Sequence, residues 1–211
     1  MPYAIMGLTG QVGGAIARHL LRQGKPVCGI VRDPKKAADW QAQGVELVVA
    51  ESTDAAALRA AFEGVDGAFI MLPPFFAPSP DFREARAVAR AVVSAVEAAR
   101  PPRLVQLSTV GGHHDHAVGI LAQLHIFENA LAAAGLPVPT AVLRPAWFME
   151  NAAWDVASAR EGVINSFLQP LDRPIAMAAT DDIGRAAAEL LLGSWTGPPR
   201  RRAGRPAPLL A

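Results

Sequence analysis

Near its start the chain reads Gly7-Leu-Thr-Gly10-Gln-Val-Gly13-Gly14, directly after a short apolar run and directly before Ala15-Ile-Ala-Arg-His-Leu-Leu. Glycine allows a tight turn, lets backbone approach a pyrophosphate and packs a helix close to a strand. Unpaired N–H groups at the start of the following helix would then receive phosphate oxygens. Glycine-rich turns are common, and GxxGxxG differs from the GxGxxG of many dehydrogenases. The place of this turn, between a first strand and a first helix, is what points to a dinucleotide. Gly7, Thr9, Gly10, Gln11, Val12 and Gly13 are the residues expected to hold it.

The second apolar run closes as Ile30-Val-Arg32-Asp33-Pro34, with Arg32 placed 22 positions after Gly10. An acid there bonds a ribose 2′-hydroxyl, whereas an arginine accommodates a 2′-phosphate with its planar fork. Arg32 therefore predicts NADP(H). Two other readings stay open: Asp33 turned inward to the ribose, or Asp33 capping a helix beside a surface Arg32.

Proton donors are scarcer. His113-His114-Asp115-His116 forms a loop run and His125 lies on a helical stretch. The loop reads as solvated or substrate-lining, as a proton donor through His114, or as metal-binding. Metal is not expected, because ligation needs convergent side chains with outer-shell partners. His125 reads either as a packed surface histidine or as a proton donor. Phe75 and Phe76 in the rigid segment PPFFAPSP (residues 73–80), and Phe148 beside Trp147, Met149 and Trp154, are candidates for an apolar substrate wall, with core packing as the alternative. Cys28, the one cysteine, reads as a small buried hydrophobe.

These residues need elements to position them. Strand-like runs occur at Tyr3–Met6, Val27–Val31, Val45–Val49, Ala68–Leu72, Leu104–Leu107 and Ala141–Leu143. They alternate with helical stretches at Val12–Gln23, Pro34–Gln43, Asp54–Phe62, Asp81–Ala99 and Leu121–Ala134. This alternation predicts an α/β fold with a doubly wound parallel sheet, order 3-2-1-4-5-6, and a crevice where the sheet reverses between strands one and four. A last helix is signalled near Asp182–Leu192, with Thr180, Asp181 and Asp182 as capping oxygens and Ile183, Ala187 and Leu191 on its apolar face.

With 211 residues, 51% hydrophobic and 18% charged, the chain can bury a core and is not disordered in bulk. No signal peptide or membrane span is legible, and a single cysteine suits a reducing cytoplasm. The formal charge is +1, and removing the four arginines of residues 200–205 takes it to −3, which argues against a broad nucleic-acid surface. Residues 197–211, rich in Pro and Arg, read as a disordered tail. The expected division is a dinucleotide-binding domain at 1–150, a partial substrate-side region at 151–196 and that tail.

Taken together, GLTGQVGG, IVRDP, ESTDAAALRAAFEGVDGAFIMLPP (residues 51–74), RPAWFMEN (residues 144–151) and PIAMAATDDIGRAAAELLL (residues 174–192) resemble the NmrA-like group of atypical short-chain dehydrogenases/reductases. The resemblance implies a Rossmann domain binding NADP(H). It places the adenine near Glu51 and Ser52, the cofactor's middle along Leu72 and Pro73, and the nicotinamide facing Ser108, Thr109 and Pro145. Position 51 is more often Asp in that group. The Tyr-x-x-x-Lys pair of classical members is missing: Ile120 and Leu124 stand there, and the one tyrosine is Tyr3. The group includes NADPH-dependent quinone-type reductases and non-catalytic dinucleotide sensors. The expectation is an NADPH-dependent oxidoreductase acting on a small apolar electrophile such as a quinone. The alternative is a sensor that binds NADP(H) and a protein partner. Members of the group continue past the last matched helix, so a shortened C-terminus is expected, or else a regulatory tail. Apolar surface would then be left open around Trp154, Ile164 and Phe167.

Overall fold

In the computed structural model, residues 1–114, 119–166, 168–195 and 200–203 are described. The elements run β1 (Tyr3–Met6), α1 (Gln11–Arg22), β2 (Val27–Val31), α2 (Ala38–Ala42), β3 (Glu46–Val49), α3 (Ala55–Phe62), β4 (Gly67–Met71) and α4 (Arg83–Ala99). After them come β5 (Leu104–Leu107), α5 (Ala122–Ala133), β6 (Thr140–Arg144), β7 (Trp147–Phe148), α6 (Val156–Arg160), β8 (Met177–Ala178), α7 (Thr180–Leu192) and β9 (Arg200–Ala203).

Strands β1 to β6 form a parallel sheet in the order 3-2-1-4-5-6, the doubly wound arrangement that the sequence predicts. Side chains alternate across it. Ile5, Phe69, Val105 and Leu107 face the layer of α1 and α7, while Ala4, Ile70 and Leu104 face α3, α4 and α5. This period of two is what a sheet covered on both faces requires. Cys28 is buried in β2, and burial, with Glu46 adding, pushes its thiol up to about 11, so it stays protonated.

Helix α7 was grouped by sequence with the substrate-side region, yet it packs beside α1 in the sheet's own helix layer. Gly184 makes the approach possible: a Cβ there would lie 2.4 Å from the Ala15 Cβ. Ile183, Ala187, Ala188 and Leu191 join the same core as Ile16 and Leu20. Its cap also differs from expectation. Helix α7 starts after Ala179 with no cap from its own residues. Instead Glu150, thirty residues earlier, accepts the Thr180 N–H at 2.8 Å and the Thr180 hydroxyl at 2.7 Å. At the other end Arg103 donates to the carbonyls of Leu191 and Gly193.

A further difference concerns the end of the chain. Residues 200–203, read from composition as part of a structureless tail, form β9 parallel to β6 at the sheet edge. Their Arg-rich sequence lacks apolar alternation, so no period of two marks it as a strand; residues 204–211 lie outside the described residues. Between β6 and α7, Trp147–Phe148 pairs with Met177–Ala178 in a small ladder. Trp154 (61%) and Ile164 (56%) are indeed exposed, with Val163, Leu171 and Met177. Phe167 lies outside the described residues. Among the described residues no helix is long and apolar enough to cross a membrane.

Candidate functional site

The turn after β1 closes tightly because no side chain obstructs it. Gly7 takes φ +70°, and a Cβ on Gly13 would sit 2.2 Å from the Gly7 carbonyl oxygen. The Gly10 N–H donates to that same carbonyl at 2.9 Å. Helix α1 then begins after Gly10, with no side-chain cap and no acid in its first turn. The N–H groups of Gln11, Val12 and Gly13 are left without intrahelical partners, and the helix dipole places partial positive charge there. A phosphate fits this cradle on both counts.

Strand β2 ends beside it. The Asp33 carboxylate accepts the Lys35 N–H at 3.0 Å and starts the short turn Pro34–Ala37. That acid is engaged as a cap. Arg32 is exposed, has no described ion-pair or hydrogen-bond partner, and borders the cavity described next.

The cavity, of about 470 Å³, lies over the carboxyl ends of the strands. Its β1–β2–β3 side is lined by the glycine turn and α1 start (Gly7, Thr9, Gly10, Gln11, Val12, Gly13), then by Arg32 and Ser52. Its β4–β6 side carries Met71 at the end of β4, Pro73, Pro74 and Phe76 after it, and Phe148, Asn151 and Trp154 after β6. Phe76 and Trp154 meet edge to face, ring centroids 6.1 Å apart, so the two loops touch across the mouth.

Eleven of the residues singled out in the sequence thus share one cavity: the six of the glycine turn, Arg32, Ser52, Pro73, Phe76 and Phe148. The others lie elsewhere. Glu51 is exposed next to Ser52, and its carbonyl takes the Asp54 N–H. Leu72 is buried in the core. Phe75 packs against that core, and its carbonyl accepts from Gln123. Ser108 is buried because the turn at Gly112 covers it; a Cβ on Gly112 would lie 2.5 Å from the Ser108 Oγ and 2.7 Å from the Glu128 Oε1. The carbonyls of Thr109 and Pro145 serve the same turn, accepting from Gly112 and Val110.

The histidines do not border the cavity either. His125 is held on α5 by both ring nitrogens, Nδ1 against the Gly112 carbonyl (3.1 Å) and Nε2 against the Asn129 amide (2.6 Å). A carbonyl can only accept, so Nδ1 carries the proton. His114 is exposed and lies against His113, ring centroids 3.9 Å apart and planes tilted by 41°. Asp115 and His116 lie outside the described residues, and among the described ones no three His, Cys, Asp or Glu converge on a metal position. Tyr3 is buried at the opposite end of β1, where burial and Asp66 raise its phenol above the ordinary value. Of the two positions matched to the missing Tyr and Lys, Ile120 is exposed and Leu124 packs on the core.

Behind the site, Arg144 at the end of β6 forms a bidentate pair with the buried Glu128 on α5. Asn151 was not singled out as a site residue by sequence. Its one signal was a polar side chain among aromatics on a loop at the carboxyl edge, in RPAWFMEN. Met6, Ile30, Val31 and Ala50 also line the cavity, as strand ends that any doubly wound sheet would present there.

Comparison with known proteins fits this geometry. The chain is similar to quinone oxidoreductase 2 of Escherichia coli (strain K12), 31% identical over 192 residues, covering 89% of this chain and 63% of that protein. It is also similar to the NAD(P)H azoreductase of Xenophilus azovorans, 27% identical over 188 residues, covering 89% and 62%. Among solved structures, an NADPH-dependent quinone oxidoreductase from Escherichia coli complexed with NADPH superposes with a TM-score of 0.76 at 28% identity, covering 92% of this chain and 65% of that one. The chain thus spans under two thirds of the length of these relatives. The profile of the NmrA-like family matches residues 3–197, and with the glycine cradle, the strand order and the shared cavity this match establishes that the chain belongs to the NmrA-like family.

Proposed function

We propose that the cavity binds NADPH, with its pyrophosphate on the glycine turn and its 2′-phosphate at Arg32, and that hydride passes there to a small apolar acceptor of the quinone class. One observation carries this reading: a single cavity joins an uncapped helix N-terminus and an unpaired arginine to an aromatic, largely apolar wall. The similarity to a quinone oxidoreductase and an azoreductase, and to a structure complexed with NADPH, supports it.

When bound, the reduced nicotinamide supplies the hydride. The chain's own residues do the rest. The free N–H groups of α1 hold phosphate oxygens, and Arg32 neutralises phosphate charge that Asp33, already engaged by Lys35, does not repel by turning inward. Phe76, Phe148 and Trp154 shelter the acceptor from water on the opposite side. With Tyr3 at the far edge of the sheet, the product takes its proton from solvent rather than from a tyrosine.

Calorimetric titration with NADPH and NADH, beside an Arg32→Ala variant, tests the cofactor half. NADPH is expected to bind in preference to NADH. The variant should lose about 10–100-fold in NADPH affinity, the ~1.5–3 kcal/mol of a charge-assisted contact, with NADH affinity little changed. Binding of neither dinucleotide by the wild type refutes the reading.

A further inference from the structure

The segment that follows β4 reads Leu72-Pro-Pro-Phe75-Phe76-Ala-Pro-Ser-Pro80, and its prolines remove main-chain donors. Among the described residues, 73–78 make no hydrogen bond to other main chain. Yet this segment must send two adjacent rings in opposite directions, Phe75 into the core and Phe76 to the cavity. Phe76 is 68% exposed and meets Trp154 at the mouth, so burial does little to hold it there.

The tie that fixes the main chain comes from α5, 48 residues on. The Gln123 side-chain amide donates to the Phe75 carbonyl at 3.0 Å and to the Ile120 carbonyl at 2.9 Å. Carbonyls only accept, so the NH₂ end faces them and both of its hydrogens are used. The other end of the amide is left over: Gln123 is buried, and its Oε1 has no partner among the described residues. That oxygen forfeits hydrogen bonds it would make in water, a cost that an apolar side chain of similar length would not carry. The hold on Phe75 offsets it.

We propose that Gln123 is a positioning residue for the acceptor: its amide fixes the main chain at Phe75, so that Phe76 stays at the cavity mouth and the apolar wall is already formed when the quinone enters. This rests on the reading of the cavity as a site for NADPH and a quinone. Gln123 does not line the cavity itself and acts through the loop it holds. The loop belongs to the β4–β6 side, so the glycine turn and Arg32 are left as they are.

The test uses the full chain as wild type, as Gln123→Met, similar in length but without N–H, and as Gln123→Asn, polar but one methylene shorter. NADPH affinity is measured by calorimetry. Affinity for 1,4-naphthoquinone is measured on NADP⁺-loaded protein, where no turnover occurs, by quenching of tryptophan fluorescence. Each variant that folds should bind NADPH within about twofold of wild type and bind the quinone about 3–10-fold more weakly, the scale of one hydrogen bond. KM for the quinone should rise by the same factor while kcat stays within about twofold. A merely structural role would lower the melting temperature and leave the quinone affinity of the folded protein alone. Phe76→Ala should also weaken quinone binding, and adding Gln123→Met to it should bring no further loss, because the amide acts through that ring. Unchanged quinone affinity and KM in the Gln123 variants overturns the assignment alone. So do additive losses in the double variant, failure of both Gln123 variants to fold, or a wild type that binds NADPH but no quinone. A wild type that binds neither NADPH nor NADH overturns the cofactor reading and this assignment with it.

Discussion

A single methyl group at position 13 should be enough to spoil the phosphate cradle. It would lie 2.2 Å from the Gly7 carbonyl oxygen and 2.7 Å from its carbon, backbone atoms that can yield only by moving the turn away from α1. Gly13→Ala is therefore expected to abolish measurable dinucleotide binding by calorimetry and to cost about 1–3 kcal/mol in chemical denaturation, as overpacking of a tight contact does. At this scale the sequence was informative wherever a residue type has one physical use. The glycines of the turn fall in this group, and the end of β2 brought Arg32 to the cavity's border. It was uninformative where the neighbour decides: Phe75 and Phe76 are adjacent and chemically equal, but one faces the core and the other the cavity. Likewise, both ring nitrogens of His125 are engaged, by Asn129 one helical turn on and by Gly112, a partner 13 residues upstream that no local pattern announces.

Helix α7 shows how much of an element's stability can be supplied from a distance. A carboxylate from the loop after β6 meets its N-terminus, and a guanidinium from the start of β5 meets its C-terminus, each matching the sign of the helix dipole. Burial alone would raise the Glu150 carboxyl, but the hydroxyl and N–H of Thr180 outweigh it and hold the group below the usual carboxylate range. A carboxyl depressed in the folded state stabilises the fold above its unfolded pKa of ~4.3, and that contribution is lost as pH falls through the folded value. Glu150→Ala should accordingly cost about 1–2 kcal/mol at neutral pH, as the loss of a cap does. The difference from wild type should shrink in acid, which denaturant melts across that pH range will show; a difference that stays constant would contradict the capping role. The six sheet strands and the helices between them were legible because apolar period, glycine stops and the Pro101-Pro102 break are local signals. The Glu150 cap spans 30 residues and the β9 segment carries no apolar alternation, so neither left a local trace.

On the scale of the whole molecule, function follows from where the sheet reverses. Strands β1 and β4 are neighbours, but their crossovers depart in opposite directions, so the loops after β1 and β2 face those after β4 and β6 across one crevice. The glycine turn with its uncapped helix start and Arg32 on one side, and an apolar wall with a single amide on the other, follow from this topology. The central claim is that both halves of the crevice act together in one hydride transfer. Rapid mixing of the NADPH-loaded protein with 1,4-naphthoquinone, followed through loss of the reduced-nicotinamide absorbance, tests it most directly. Oxidation of bound NADPH much faster than in the protein-free mixture is the predicted result. NADPH that binds tightly yet stays reduced in the presence of the quinone would contradict the account and mark the cavity as a site that holds the dinucleotide without using it.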